Sequence, residues 1–267
     1  MRKYALIAAL AAPLPALAQI DPPPGMDVYV LGEIHDNPAH HAEQARLVGV
    51  IAPQAVVWEM LLPAQVTSAE GVDRTDAVAL EAALQWKGSG WPDFAMYAPI
   101  FAAAGPALHL GGAVPKDALS KAVKNGAAAV VGPEVAALWG LGPLTPDDQA
   151  AREADQQEAH CNALPEAMLP GMVEAQRLRD QTMAAAAVVA VAEGRRPVVI
   201  ITGSGHARKD QAIPAMIAQA APGLKVWSLG QAEADPGPDA PYDAVNVTAP
   251  APREDPCLAF TGQSSGG

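Results

Sequence analysis

Four β-branched apolar residues in a row, Val198-Val199-Ile200-Ile201, bracketed by Pro197 and Thr202, constrain the fold of this chain more than any other feature. A run this short and this uniformly apolar suits a strand buried on both faces, the situation of a central strand in a parallel sheet. Shorter β-rich runs stand at residues 27–31, 55–58, 108–111 and 224–229, and residues 244–247 suit an edge strand. Helical stretches such as 38–51 separate them, and strands joined through helices require parallel crossovers. The expectation is therefore an α/β fold, a mostly parallel sheet covered by helices on both faces. Between residues 144 and 194 the alternation stops. Thr145 as cap with Pro146 at the first helical position opens a helix to about Cys161, and a longer one runs from about Pro170 to Glu193. These helices are expected to form an insertion capping one end of the sheet.

The first eighteen residues read as a cleaved secretory signal peptide: a basic start at Arg2-Lys3, an apolar centre interrupted by Pro13 and Pro15, and the small-residue pattern Ala16-Leu17-Ala18. The apolar centre is too short to span a bilayer, and no later segment is long and apolar enough. A periplasmic or secreted protein is expected, with one domain over residues 19–260 and a disordered tail at 261–267. In an oxidising compartment the only two thiols, Cys161 and Cys257, are expected to form one disulfide. The formal net charge of −12 argues against nucleic acid and against an anionic membrane surface, both of which need clustered Lys and Arg.

In open parallel sheets ligands bind beyond the carboxyl ends of the strands, and three predicted strands end in titratable groups. The first leads into Gly32-Glu33-Ile34-His35, the second into Glu59, and the strongest into Gly203-Ser204-Gly205-His206. Glu33, His35, Glu59 and His206 are the candidate catalytic set for general acid–base chemistry and a candidate divalent-metal set. Asn37-Pro38 is a helix cap and first-turn pair, which places His40 and His41 in an opening turn where the helix dipole favours the neutral imidazole. On the long helix, Gln176 and Asp180 share an apolar stripe with Met172 and Met183; they pair with each other or reach the pocket from above. The standard short motifs fail: Arg208 stands where a dinucleotide loop needs its third glycine, Thr202 where a nucleophile elbow needs its first, and no His-Glu-x-x-His or Cys-x-x-Cys occurs.

The chain holds few aromatics, five Trp, four Tyr and three Phe, yet Trp86, Trp91, Phe94, Tyr97 and Phe101 fall in one stretch. Such a cluster packs under a loop in most proteins. Its concentration here also suits a flat apolar ligand, with Trp91 and Phe94 as walls and the Tyr97 phenol as hydrogen-bonding group or iron ligand.

Four blocks together resemble the ChaN family of haem-binding uptake proteins, within a wider group that includes Tiki proteases and erythromycin-esterase-like enzymes. They are Gly32-Glu33-Ile34-His35-Asp36-Asn37-Pro38 with His41 and Gln44, Tyr97-Ala98-Pro99-Ile100, Met172 to Gln176 with Arg179-Asp180 and Met183-Ala184, and Gly203-Ser204-Gly205-His206-Ala207-Arg208. The resemblance implies an α/β fold with a helical cap and haem at a homodimer interface. A tyrosine, here Tyr97 with Tyr29 and Tyr242 as alternatives, would ligate iron, and a histidine from the other subunit, here His40, His41 or His109, would meet a propionate. Gln176, Asp180 and Arg208 would contact the cofactor. The wider group implies metal-binding or general-base roles for Glu33, His35, Glu59 and His206. The chain departs from the family in having no lipobox Cys. Two expectations result: an exported haem-binding protein of iron uptake, and a hydrolase of the esterase or protease kind.

Overall fold

The structure is a computed structural model that describes residues 20–255, 257 and 258. The expected signal peptide (1–18) and the tail (261–267) lie outside the described residues. Among the described residues six strands form one sheet: β1 (Val28–Leu31), β2 (Ala55–Trp58), β3 (Leu108–Gly111), β4 (Val198–Ile201), β5 (Val226–Ala232) and β6 (Ala244–Val247). Their order is β3-β2-β4-β1-β5-β6, and every neighbouring pair is parallel. The edge strand β6 is parallel as well, so the sheet is parallel throughout.

The helices are α1 (Pro38–Ile51), α2 (Pro63–Ser68), α3 (Ala77–Ala83), α4 (Phe94–Ala103), α5 (Lys116–Asn125), α6 (Ala127–Val131), α7 (Pro133–Leu138), α8 (Pro146–Ala159), α9 (Leu169–Ala192) and α10 (Ile213–Ala220). Side chains alternate across the pleat. Val28, Val30, Val57, Val198 and Ile200 face a core closed by Ala184, Ala187 and Ala190 of α9 and Ile213 and Ile217 of α10. Tyr29, Leu31, Val56, Trp58, Val199 and Ile201 face the opposite core, closed by Leu47 and Val48 of α1 and Tyr97, Ile100 and Phe101 of α4. Both faces are dry, which is why β4 carries apolar residues without alternation. Each such side chain contributes about 1.5–3 kcal/mol by leaving water.

The helical segment is longer than the sequence suggested. Helices α5 to α7 already fill residues 116–138. Of the two expected helices, α8 begins at Pro146 with Thr145 Oγ1 accepting from the Asp148 amide at 3.2 Å. The second, α9, has two duties: its small C-terminal residues lie on the sheet, while Met172, Gln176 and Arg179 line a cleft beyond it. Cys161, just past α8, is bonded to Cys257, closing a loop of sequence separation 96.

Candidate functional site

Register fixes the site. Leu31 and Trp58 both pair with Ile201, so the turns after β1, β2 and β4 leave the sheet side by side. Gly32 lets the first turn pass: a Cβ there would lie 2.8 Å from Leu229 O, Ser204 Cα and Ser204 Oγ. Asn37 then caps α1 by accepting from the Ala39 amide at 3.0 Å, with Pro38 needing no donor partner.

Glu33 is buried at the centre of the first cluster. Its Oε1 accepts from His35 Nδ1 at 2.8 Å and from the Tyr97 hydroxyl at 3.0 Å, and His41 Nδ1 lies 2.9 Å from Oε2. Burial pushes the Glu33 carboxyl up, but the two imidazoles outweigh it and hold it below its ordinary value. Burial likewise pushes His35 down, and its bond to Glu33 with the nearby Glu59 charge reverses the sign, leaving it raised. His41 Nε2 donates to the His35 carbonyl at 2.8 Å. His40 Nδ1 accepts from the Ile34 amide at 2.9 Å, and its Nε2 is 2.8 Å from Thr248 Oγ1; burial lowers its pKa and keeps it neutral. Both His40 and His41 are therefore buried braces of the β1–α1 turn. An opening helical turn is ordinarily open to water, whereas here both rings are covered.

A second chain of charges begins at Glu59. Its Oε2 accepts from Thr202 Oγ1 at 2.7 Å and the Gly203 amide at 2.8 Å; its Oε1 is 3.3 Å from His206 Nε2 and 4.0 Å from His35 Nε2. His206 Nδ1 meets Asp180 Oδ1 at 2.6 Å. With a carboxylate at each ring nitrogen, His206 carries both protons: burial works against the charge, but Glu59 and Asp180 prevail and push its pKa up to about 10. Burial also drives the Glu59 carboxyl up; His206 and His35 override this and hold it well below its usual range. Asp180, the deeper carboxyl, is raised by burial. The Gln176 amide lies 3.2 Å from the His206 ring, so Gln176 and Asp180 reach the site from above rather than pairing with each other.

Glu33, His35, Glu59 and His206 thus meet at one mouth. As a metal set they are partly engaged otherwise: Glu33 Oε1 and Glu59 Oε2 accept from N–H and O–H donors, while Glu33 Oε2 lies beside His41 Nδ1. Among the described residues no three His, Cys, Asp or Glu side chains are placed to hold a metal ion. The divalent metal expected from sequence has no support.

The aromatic stretch is corrected most. Trp86, Phe94, Tyr97 and Phe101 are at most 3% exposed and belong to the core over α1 and β2. Phe101 stacks on Trp58 at 3.9 Å between centroids. Their hydrophobicity is spent on the fold, so Phe94 is no ligand wall here. Burial and the adjacent Glu33 raise the Tyr97 phenol far above its ordinary value, and its oxygen points into the protein; iron could reach it only after the Glu33 cluster opened. Trp91 alone of the stretch is half-buried, edge-on to His35 at 4.9 Å, whose side chain is 34% exposed. Arg208 forks onto Asp210 at 3.0 and 2.7 Å, at the wall of a cleft of about 460 Å3.

Thr202, directly after β4, anchors Glu59 and carries no motif that marks it in the sequence. His109 Nδ1 accepts from the Trp58 indole at 2.8 Å, and burial pushes its pKa down to about 3.

Fold and site together define a class: parallel α/β domains that gather buried carboxylate–imidazole clusters at the carboxyl end of the central strands. The chain belongs to the family of haem-binding uptake proteins, Tiki superfamily, ChaN, whose model matches residues 24–217. Among solved structures it is similar to one described as "Cofacial heme binding to ChaN of Campylobacter jejuni", at 21% identity, TM-score 0.63, over 82% of this chain and 86% of that one. Weaker likeness extends to the type III effector HopBA1, at 11% identity, TM-score 0.45, over 84% of this chain and 88% of that one. It also extends to the erythromycin esterase mutant EreC H289N, at 13% identity, TM-score 0.40, over 91% and 81%. No curated protein matches at a significant level.

Proposed function

We propose that this chain is an exported haem-binding protein of haem or iron uptake, working as a homodimer with the ligand between subunits. Membership of the haem-binding uptake family carries the reading. The disulfide joining Cys161 and Cys257 supports an oxidising compartment, and no helix among the described residues is long and apolar enough to cross a membrane. At the mouth, His35 is the solvent-reachable imidazole, with Trp91 beside it as a flat apolar neighbour. Tyr97 becomes an iron donor only by giving up Glu33. Bound haem would supply a flat apolar face and an iron that accepts a nitrogen or phenolate ligand; the chain's part is to present that ligand and shield it.

Hemin titration tests this. A saturable visible spectrum is expected at stoichiometric ligand, lost in His35→Ala if imidazole ligates and in Tyr97→Phe if phenolate does. An unchanged hemin spectrum in the wild type removes the reading.

A second reading, a hydrolase, is favoured by one observation: Glu59 Oε1 stands between the Nε2 atoms of His206 and His35. His35, with its raised pKa and open edge, would act as the proton donor. Ester or peptide turnover abolished in His35→Ala combined with His206→Ala is the expected result; no turnover over a broad ester, amide and peptide screen counts against it.

A further inference from the structure

The cleft of about 460 Å3 opens between α8, the first half of α9 and the turn after β4, away from Glu33 and bordering the Glu59–His206–Asp180 chain at Asp180. Its walls bring together three guanidinium groups, Arg152, Arg179 and Arg208, in a strongly acidic chain. Arg208 is committed to Asp210, with Asp155 at 3.5 Å. The other two are not. Among the described residues Arg152 makes one hydrogen bond, from Nη1 to the Gln211 carbonyl at 3.0 Å, and no ion pair. Arg179 makes neither. Burial depresses Arg152 below the ordinary arginine range, with Arg177 adding to the effect and Asp180, Asp148 and Asp210 opposing it from beyond ion-pair distance.

Among the described residues, the carboxylates facing the cleft form no ion pair with these two. Asp180 is held by His206 at 2.6 Å. Asp155 accepts from Gln211 Nε2 at 2.6 Å and faces Arg208. Glu158 is exposed at the rim. The remaining surface is apolar in part, from Met172, Val173, Ala212 and the Tyr242 ring. Met172, Gln176 and Arg179 recur at the three- and four-residue steps that share a helix face, so α9 offers an apolar, then polar, then cationic strip.

We propose that this cleft binds an amphiphilic carboxylate, its acid group held by Arg152 and Arg179 and its apolar body lying on Met172, Val173 and Tyr242. A planar guanidinium matches a carboxylate with two parallel N–H donors, and partial burial protects the pair from screening by salt. Between its two ends the occupant passes Gln176, which abuts His206 at 3.2 Å, so occupancy is felt by the Glu59–His206–Asp180 chain. The same chemistry is offered by a porphyrin through its propionates and by an unrelated organic acid. Nothing in the proposal requires iron ligation, so it is separable from the hemin reading.

The test uses full-length mature protein and two iron-free probes, dansyl-undecanoic acid and metal-free protoporphyrin. The dansyl probe should bind saturably with a blue-shifted emission, and Arg152→Gln with Arg179→Gln should weaken it by about tenfold or more, the scale of losing charge-assisted pairs. Arg179→Gln alone removes no intramolecular bond, so it should fold normally and show part of the loss. Displacement of the dansyl probe by protoporphyrin identifies the porphyrin as the source of the acid; binding without displacement identifies another organic acid. Absence of saturable dansyl binding, or equal affinity in Arg179→Gln and wild type, overturns the proposal, whatever hemin does.

Discussion

Replacing Glu59 by Gln keeps the shape of the side chain and removes the charge that His206 faces across 3.3 Å. The Gln carbonyl can still accept from Thr202 and Gly203, but its amide group then points N–H at the N–H of His206 Nε2, donor against donor. Removing one member of a buried ion pair costs about 3–5 kcal/mol because the other charge is left uncompensated. Asp180 remains on Nδ1 at 2.6 Å, which argues for the lower end, about 3 kcal/mol. In a domain of this size that is a fall of about 6–12 °C in Tm. The pH dependence carries the sharper test. His206 is raised from 6.5 to about 10 in the folded protein, so its stabilisation is complete below about pH 6.5 and is lost as pH rises through about 10. The variant has already forfeited most of this, so the gap between the two proteins should be widest near pH 6 and should close toward pH 10. Urea unfolding followed by circular dichroism at several pH values measures it. A gap under about 1 kcal/mol at pH 6, or one that widens with pH, refutes the buried imidazolium.

Three further outcomes are expected. A Cβ on Gly203 would sit 3.0 Å from His35 Nε2, so Gly203→Ala should displace the ring at a cost of about 1–3 kcal/mol; an unmoved His35 imidazole NMR signal would contradict this. Tyr97→Phe takes one donor from Glu33 and should lower stability by about 1–2 kcal/mol, read from the denaturant midpoint, while an unchanged midpoint would show that the phenol is dispensable there. Reducing the Cys161–Cys257 bond releases a loop of separation 96 and should cost about 4–5 kcal/mol in the chain-entropy account; equal thermal midpoints with and without reductant would mean that the ends are held by other contacts, such as Arg253 with Asp36 at 3.0 Å.

Strand positions were legible because a buried parallel strand has few ways to be written: four apolar residues, with β-branched ones among them, just before a polar turn. Val198–Ile201 and Ala55–Trp58 are such cases. From those positions the convergence of Glu33, His35, Glu59 and His206 followed, since adjacent parallel strands end on one side. The aromatic stretch was not legible in the same way. Phe94 and Tyr97 carry hydrophobicity that serves a core or a ligand equally, and only the packing of α4 on α1 decides that they are core. Arg152 gave no signal, because its meaning lies in a cleft-facing position where no carboxylate forms an ion pair with it, a property of the folded surface. The burial of His40 and His41 was hidden because an opening helical turn is normally wet; here the C-terminal strand and Thr248 cover it.

The position of β1 bears on how the molecule comes into being. This strand, the first among the described residues, lies between β4 and β5 and, among those residues, makes no backbone ladder with anything nearer in sequence. While synthesis proceeds from Val28 toward Val198, its two apolar faces have no strand to lie beside, and β2 with β3 is the one pair able to zip early. Assembly of the centre must await the last quarter of the polypeptide, so nascent or truncated forms ending before Val198 should stay loose, protease-sensitive and dependent on a holdase.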